Sequence, residues 1–241
     1  LAALGAGALL AAIHAFLTIS LRANQVGSGL ALTIFGAGFS AYLGRPVAGQ
    51  PLTTAFKNLA IPGLARLPVI GEILFNQNPL VYLGYLLVPL LWWWLYRTRP
   101  GLNLRSVGEN PAAADAVGIN VTRTRYLYVL LGGALCGLAG AHLSLAVTPA
   151  WVEGMTAGRG WVAVALVIFA GWDPVRAALG ALLFGGVEAL TFRLQAAGSG
   201  LPPALLAMAP YIFTLVALAF ASRGRSRIPG ALGLAYDRES R

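Results

Sequence analysis

The chain has 241 residues, of which 58% are hydrophobic and 10% charged, with 17 basic against 8 acidic side chains and a formal net charge of +9. Soluble domains carry about 25% charged residues, so this chain has more apolar surface than one water-soluble core can hide, and it reads as a membrane protein. The arginines stand at the ends of apolar runs and not along one helix face with interleaved aromatics, which excludes a nucleic-acid groove; the single cysteine, Cys136, excludes an intrachain disulfide and a cysteine-based metal site.

In chain order, residues 1–21 are uncharged and, at ~1.5 Å per residue, long enough to cross a hydrocarbon layer of ~30 Å. This segment has neither the basic region nor the short apolar region of a signal peptide, so the chain reads as a fragment that opens inside a span. After the polar RANQVGSG, residues 30–43 form a second apolar segment that could begin near Val26. Residues 44–78 are punctuated by Pro and Gly, with Arg45, Lys57, Arg66 and Glu72, and predict an extramembrane or interfacial loop with a short helix at 53–59. A third span, 79–96, ends in Trp92, Trp93, Trp94 and Tyr96, aromatics suited to the headgroup boundary.

Residues 97–125 form a charged island with five arginines, Arg97, Arg99, Arg105, Arg123 and Arg125. Inside it lies GENPAAADAVGI, punctuated as a very short helix: Asn110 can cap, Pro111 fits the first helical position, and Gly118 can end it left-handed. Two turns fall below the ~12–15 residues at which isolated helices become marginal, so the segment must be ordered by docking on something. Its alanines let a partner's groove approach closely, while Glu109, Asp115 and the arginines could fix orientation. The alternative is a capped basic loop that rests at the headgroups.

Residues 126–147 are a fourth span, in which Gly133 and Gly137 make a GxxxG pair with Gly140 one turn on, a pattern for close helix packing. Two shorter pieces, 161–172 and 175–192, flank Asp173 and Pro174, either as tilted short spans or as a re-entrant hairpin. The last span, 205–222, contains Pro210 and meets Arg223, Arg225 and Arg227 at the head of a polar tail, 223–241. With the island cytoplasmic, 12 of the 17 basic residues fall on its side, which favours an outside N-terminus, about seven membrane segments and an inside C-terminus. The expected fold is an all-α polytopic helical bundle.

The sequence carries no catalytic constellation. Both histidines, His14 and His142, sit in apolar spans, where hydrogen-bonded packing is the expected role. HExxH, GxSxG and close acid–base pairs are missing. The only lysine, Lys57, lies in AFKNLA and not in a phosphate loop, and the GxGxxA-like Gly158, Gly160 and Ala163 lack a βαβ context.

The runs RSVGENPAAADAVGINV, GRGWVAVALVIFAGWDPVRAALGALLFGGVEAL and APYIFTLVALA resemble the permease subunits of bacterial ABC importers of the branched-chain amino-acid and simple-sugar permease superfamily. HAFLTISLRANQVGSGLAL and IPGALGLAYDRESR look closer to nucleoside importers that use basic-membrane-protein-type binding lipoproteins. The resemblance implies one transmembrane permease domain over 1–241 in the inner membrane, with further spans before Leu1. It also implies a cytoplasmic coupling helix carried by Gly108, Glu109, Asn110, Pro111, Ala114, Asp115 and Gly118. The implied partners are two ATP-binding subunits, a second permease and an external binding lipoprotein. Such a chain binds no cofactor and is not itself an enzyme; ATP is used by the partner. His14, Ser40, His142 and Glu188 are candidates to line the substrate path, with pairing to Arg193 an equal alternative for Glu188. Nucleosides are the expected substrate and simple sugars the alternative; rival readings are a secondary carrier, which would want mid-span acids and an inverted repeat, and a non-transporting assembly subunit.

Overall fold

The computed structural model describes residues 1–52, 55–63, 65, 70–156, 158–198, 200, 202–221 and 228–238. Arg66, Arg223, Arg225, Arg227 and Arg241, all counted in the charge asymmetry, lie outside them. The described chain forms two compact units, one of residues 1–86, 98–156 and 230–241, the other of 87–97 and 157–229.

In the first unit, α1 (Ala2–Ala15) runs on as a π turn at Phe16–Ser20, where Thr18 Oγ1 donates to the His14 carbonyl at 2.7 Å. Asn24 caps α2 (Gln25–Gly44), its side chain accepting the Gly27 N–H at 2.9 Å, so the helix starts ahead of its apolar core. The predicted helix at 53–59 does not form: 53 and 54 lie outside the described residues, 55–58 have no regular structure, and Leu59–Ala60 (β1) pairs antiparallel with Asn76–Gln77 (β2). Between the two strands sits α3 (Ile70–Phe75). Phe56 N–H donates to Leu145 O at 3.0 Å and Leu52 N–H to Pro149 O at 2.9 Å, so backbone pairing with the end of the fourth span and the residues just after it claims this stretch.

α4 (Pro79–Arg97) contributes its first part to the first unit and its end to the second. α5 (Arg99–Glu109) is an amphipathic helix that the sequence reading left inside the charged loop. Thr98 starts it by accepting the Gly101 N–H at 3.3 Å, with Pro100 in the first turn. After α6 (Pro111–Ala116), α7 (Val121–His142) begins five residues before the expected Tyr126. Asn120 caps it by accepting the Arg123 N–H at 2.8 Å, which takes Arg123 and Arg125 into the helix.

α1 and α7 pack antiparallel along a run of small residues. An added Cβ at Gly133 would stand 2.6 Å from the Gly7 carbonyl oxygen, and one at Gly137 2.9 Å from the Ala3 carbonyl carbon. The third glycine of the sequence pattern is different: Gly140 has open space around it, because it lies past the Ala3 end of the close run.

In the second unit, α8 (Arg159–Ala170), α9 (Pro174–Ala196) and α10 (Pro203–Ala221) pack on one another. α9 has 23 residues, ~35 Å of helix, and is long enough to cross a bilayer by itself, whereas the 12 residues of α8 give only ~18 Å. Of the two pieces expected as tilted short spans or a re-entrant hairpin, the first stays short and the second extends past both of its expected ends. Asp173 extends α9 at its start by accepting the Val175 and Arg176 N–H groups, both at 3.0 Å, and Tyr96 donates to Asp173 at 3.3 Å. The seven expected segments all appear as apolar helices, and among the described residues five, beginning at Ala2, Gln25, Pro79, Val121 and Pro174, are long and apolar enough to cross a membrane.

Arg159 and Glu188 join α8 to α9 at 2.8 Å. Glu188 therefore pairs with Arg159, not Arg193; five residues on, Arg193 is rotated ~140° around the helix. With side chains 43% and 27% exposed, such a pair in water would add ~0.2–1 kcal/mol. Here Leu182, Leu190 and Phe192 are exposed on the same helix, and a lone arginine deep in lipid costs ~2.5–3.5 kcal/mol. Glu188→Gln should thus lower the melting temperature of the detergent-purified protein, and Arg159→Gln added to it should recover part of the loss. Equal melting of all three would contradict the pairing.

Candidate functional site: the α5–α6–α7 junction

The charged island folds into two helices and the start of a third, and each boundary is made by one residue. Asn110 ends α5, its N–H donating to Ser106 O at 2.9 Å, and caps α6, its Oδ1 accepting the Ala113 N–H at 3.0 Å. Pro111 follows in the first turn, where its missing N–H costs nothing. At the other end, Gly118 N–H donates to Asp115 O at 2.9 Å and Ile119 N–H to Ala114 O at 3.0 Å. With Gly118 at φ +86° this is a Schellman ending.

α6 is ordered from behind by its own chain. Ala114 (2% exposed) closes against Val107 of α5 and Val121 of α7, with Ile119 and Tyr236 packed around them. The Ala114 methyl is buried where the three helix ends converge. The opposite face, Ala112, Ala113, Ala116 and Val117, is exposed, Val117 by 77%.

The two acids of the island turn inward to the C-terminal segment. The Gly230 N–H donates to Glu109 Oε2 at 3.4 Å, and Arg238 pairs with Asp115 at 3.0 Å. The Ala231 N–H donates to Gly108 O at 2.9 Å, satisfying a carbonyl at the end of α5, and Arg125 donates to Leu234 O at 2.9 Å. Arg22, just past the α1 π turn, forks onto Asp237 at 2.5 and 2.9 Å. Sequence reasoning took the tail as simply polar and missed these residues. The available signal was its interleaved apolar set, Ile228, Ala231, Leu232, Leu234 and Tyr236, which a solvated tail would not need.

The four residues proposed for a path are not gathered together. His14 and Ser40 both line a groove of about 980 Å³ between α1, α2 and α7, walled mainly by Ala, Gly and Leu. His14 Nδ1 is hydrogen-bonded to Ser28 Oγ at 3.0 Å. His142 lies on α7 away from that lining, and its Nδ1 is buried with no hydrogen-bond partner among the described residues. Glu188 belongs to the second unit.

A family model described as "Branched-chain amino acid transport system / permease component" matches residues 1–220. The chain belongs to this permease family. A Haloferax volcanii protein named as a glucose ABC transporter permease is 41% identical, covering 97% of this chain and 78% of its own length. A nucleoside ABC transporter permease of Lactococcus lactis is 38% identical over 95% of this chain and 74% of its own length. A guanosine ABC transporter permease of Bacillus subtilis is 36% identical over 100% of this chain and 77% of its own length. No solved structure matches. The permease is a multi-pass membrane protein, as its apolar helices and its relatives agree.

Proposed function

We propose that this permease is the membrane subunit of an ATP-driven nucleoside importer, forming half of the translocation path, and that α6 is its coupling helix. In this reading α6 seats in a cleft of a separate ATP-binding subunit. The full transporter has two such subunits, a second homologous permease and an external binding lipoprotein. The observation that carries it is the construction of α6: a capped two-turn helix, braced from behind by Val107 and Val121, with an uncharged alanine face turned outward. A slim, rigid, unpaired face is suited to insertion into a groove of another protein. With no phosphate loop in the sequence, energy enters through that contact, and α5 and α7 carry its movement into the spans. The island and the C-terminus are then cytoplasmic, with the chain in the inner membrane, as the basic-residue asymmetry favours.

The groove containing His14 and Ser40 is the proposed stretch of path in this chain. Its few polar groups among Ala, Gly and Leu let a polar solute slide without being held tightly. A second reading, import of a simple sugar, is favoured by the relative named for glucose transport; nucleosides and sugars share a hydroxylated ring. The test is uptake into proteoliposomes holding full-length permease, ATP-binding subunits and binding lipoprotein. ATP-dependent uptake of labelled guanosine that excess glucose does not suppress is expected. Glucose uptake without guanosine uptake would select the sugar reading, and uptake driven by a proton gradient without the ATP-binding subunits would overturn both.

A further inference from the structure

We propose that residues 230–238 act as a transmission strap and that Asp237 and Arg22 are its positioning residues, so that the end of α1 moves together with the coupling helix. The proposal rests on the coupling role of α6 and adds to it a second route into the membrane. α6 is joined by the chain itself only to α5 and α7. α1 lies some hundred residues away in sequence, yet the tail fastens all of these elements at one end of the unit. It holds α5 through Gly108 and Glu109, α6 through Asp115, α7 through Arg125, and the segment after α1 through Arg22.

The fastenings differ in kind, which is why they act together. The Ala231 N–H on the Gly108 carbonyl and the Arg125 guanidinium on the Leu234 carbonyl set the tail's register on α5 and α7. Tyr236 packs on the Val107, Ala114 and Val121 cluster, so the tail shares a core with the inner face of α6. The next two residues take different partners, Asp237 pairing with Arg22 and Arg238 with Asp115. A forked guanidinium–carboxylate pair is directional and resists shear better than a point-charge contact. Arg22 holds a left-handed φ of 54°, a conformation unfavourable for a residue with a Cβ and kept where surroundings over-determine it. Gly230 is fitted too, since an added Cβ would stand 2.9 Å from the Glu109 carbonyl. Shifting α6 relative to α1 would break this set at once. Below the strap, Ser20 Oγ and Tyr126 Oη meet at 2.5 Å and the glycine run begins, so α1 carries the displacement along α7 as one body.

The experiment uses the assembled transporter in proteoliposomes, with labelled guanosine and labelled glucose as probes. Asp237→Arg should lower ATP-driven uptake at least fivefold and abolish its stimulation of ATP hydrolysis, while the ATP-binding subunit still copurifies and basal hydrolysis persists. The exchange Arg22→Asp with Asp237→Arg should recover more than half of the uptake, which a merely disturbed tail would not do. In a Cys136→Ser background, Arg22→Cys and Asp237→Cys bridged by a short bifunctional thiol reagent should still transport, because the two points stay together. Full uptake by Asp237→Arg, no recovery on exchange, or arrest by the bridge would each overturn the proposal. If Ala113→Trp keeps full assembly and uptake, the coupling role of α6 has failed; if only that variant is impaired, the strap alone has failed.

Discussion

A Gly137→Leu permease is expected to lose several degrees of thermal stability in detergent, or to fail to accumulate, while Gly140→Leu behaves as the unaltered protein. A Cβ at 137 would come within 2.9 Å of the Ala3 carbonyl carbon and 3.2 Å of Gly7 Cα, and closer still to the Ala3 oxygen. These are backbone atoms, so no rotamer change relieves them and α1 must move away. Overpacking typically costs ~1–3 kcal/mol, and here the displacement extends along the run shared with Gly7 and Gly133. Between membrane helices lipid tails are as apolar as leucine, so close packing of small residues supplies the attraction and its loss is not offset by burial elsewhere. A Cβ at the half-buried Gly140 meets nothing within 4 Å because it opens into the groove, and substitutions that make no such contact usually stay within ~0.5 kcal/mol. Equal melting of Gly137→Leu and Gly140→Leu would sink the assignment of the α1–α7 seam.

The second large effect concerns the two faces of α6. Ala113→Trp places an indole on the exposed side and leaves the brace untouched; the variant should melt normally, lose copurifying ATP-binding subunit and fall at least tenfold in ATP-driven uptake. Tenfold corresponds to ~1.4 kcal/mol of interface, which one misfitted tryptophan can remove. Ala114→Leu does the reverse. It forces three carbons into the closed point between Val107 and Val121, at ~1–3 kcal/mol, so both melting temperature and coupling should drop. If Ala113→Trp retains its partner and its transport, the exposed alanine face is not the docking face.

Much of the junction was legible because its signals are local. Asn110, Pro111 and Gly118 are each required by backbone geometry within four residues, and the structure uses all three as the residue types suggest. The source of order in α6 was not legible. Two turns cannot stand alone, and that argument pointed to a partner protein, but Val107, Val121 and Tyr236 of the same chain are what hold Ala114. α5 was hidden because its composition is that of a polar loop; only Thr98 and Pro100 announce it. For Glu188 the sequence offered only the neighbouring Arg193, and the packing of α8 on α9 brought Arg159 to it instead.

Sequence alone determined that the chain spans a membrane, where its seven apolar segments lie, and that a capped short helix interrupts them. These follow from hydropathy, charge and turn chemistry, properties summed over neighbouring residues. Tertiary structure alone decided which glycines touch, which acids are already paired, and that the tail grips the junction. Those depend on residues 29 to 215 positions apart, and with 8 acids among 17 basic side chains only the packed helices select the partners.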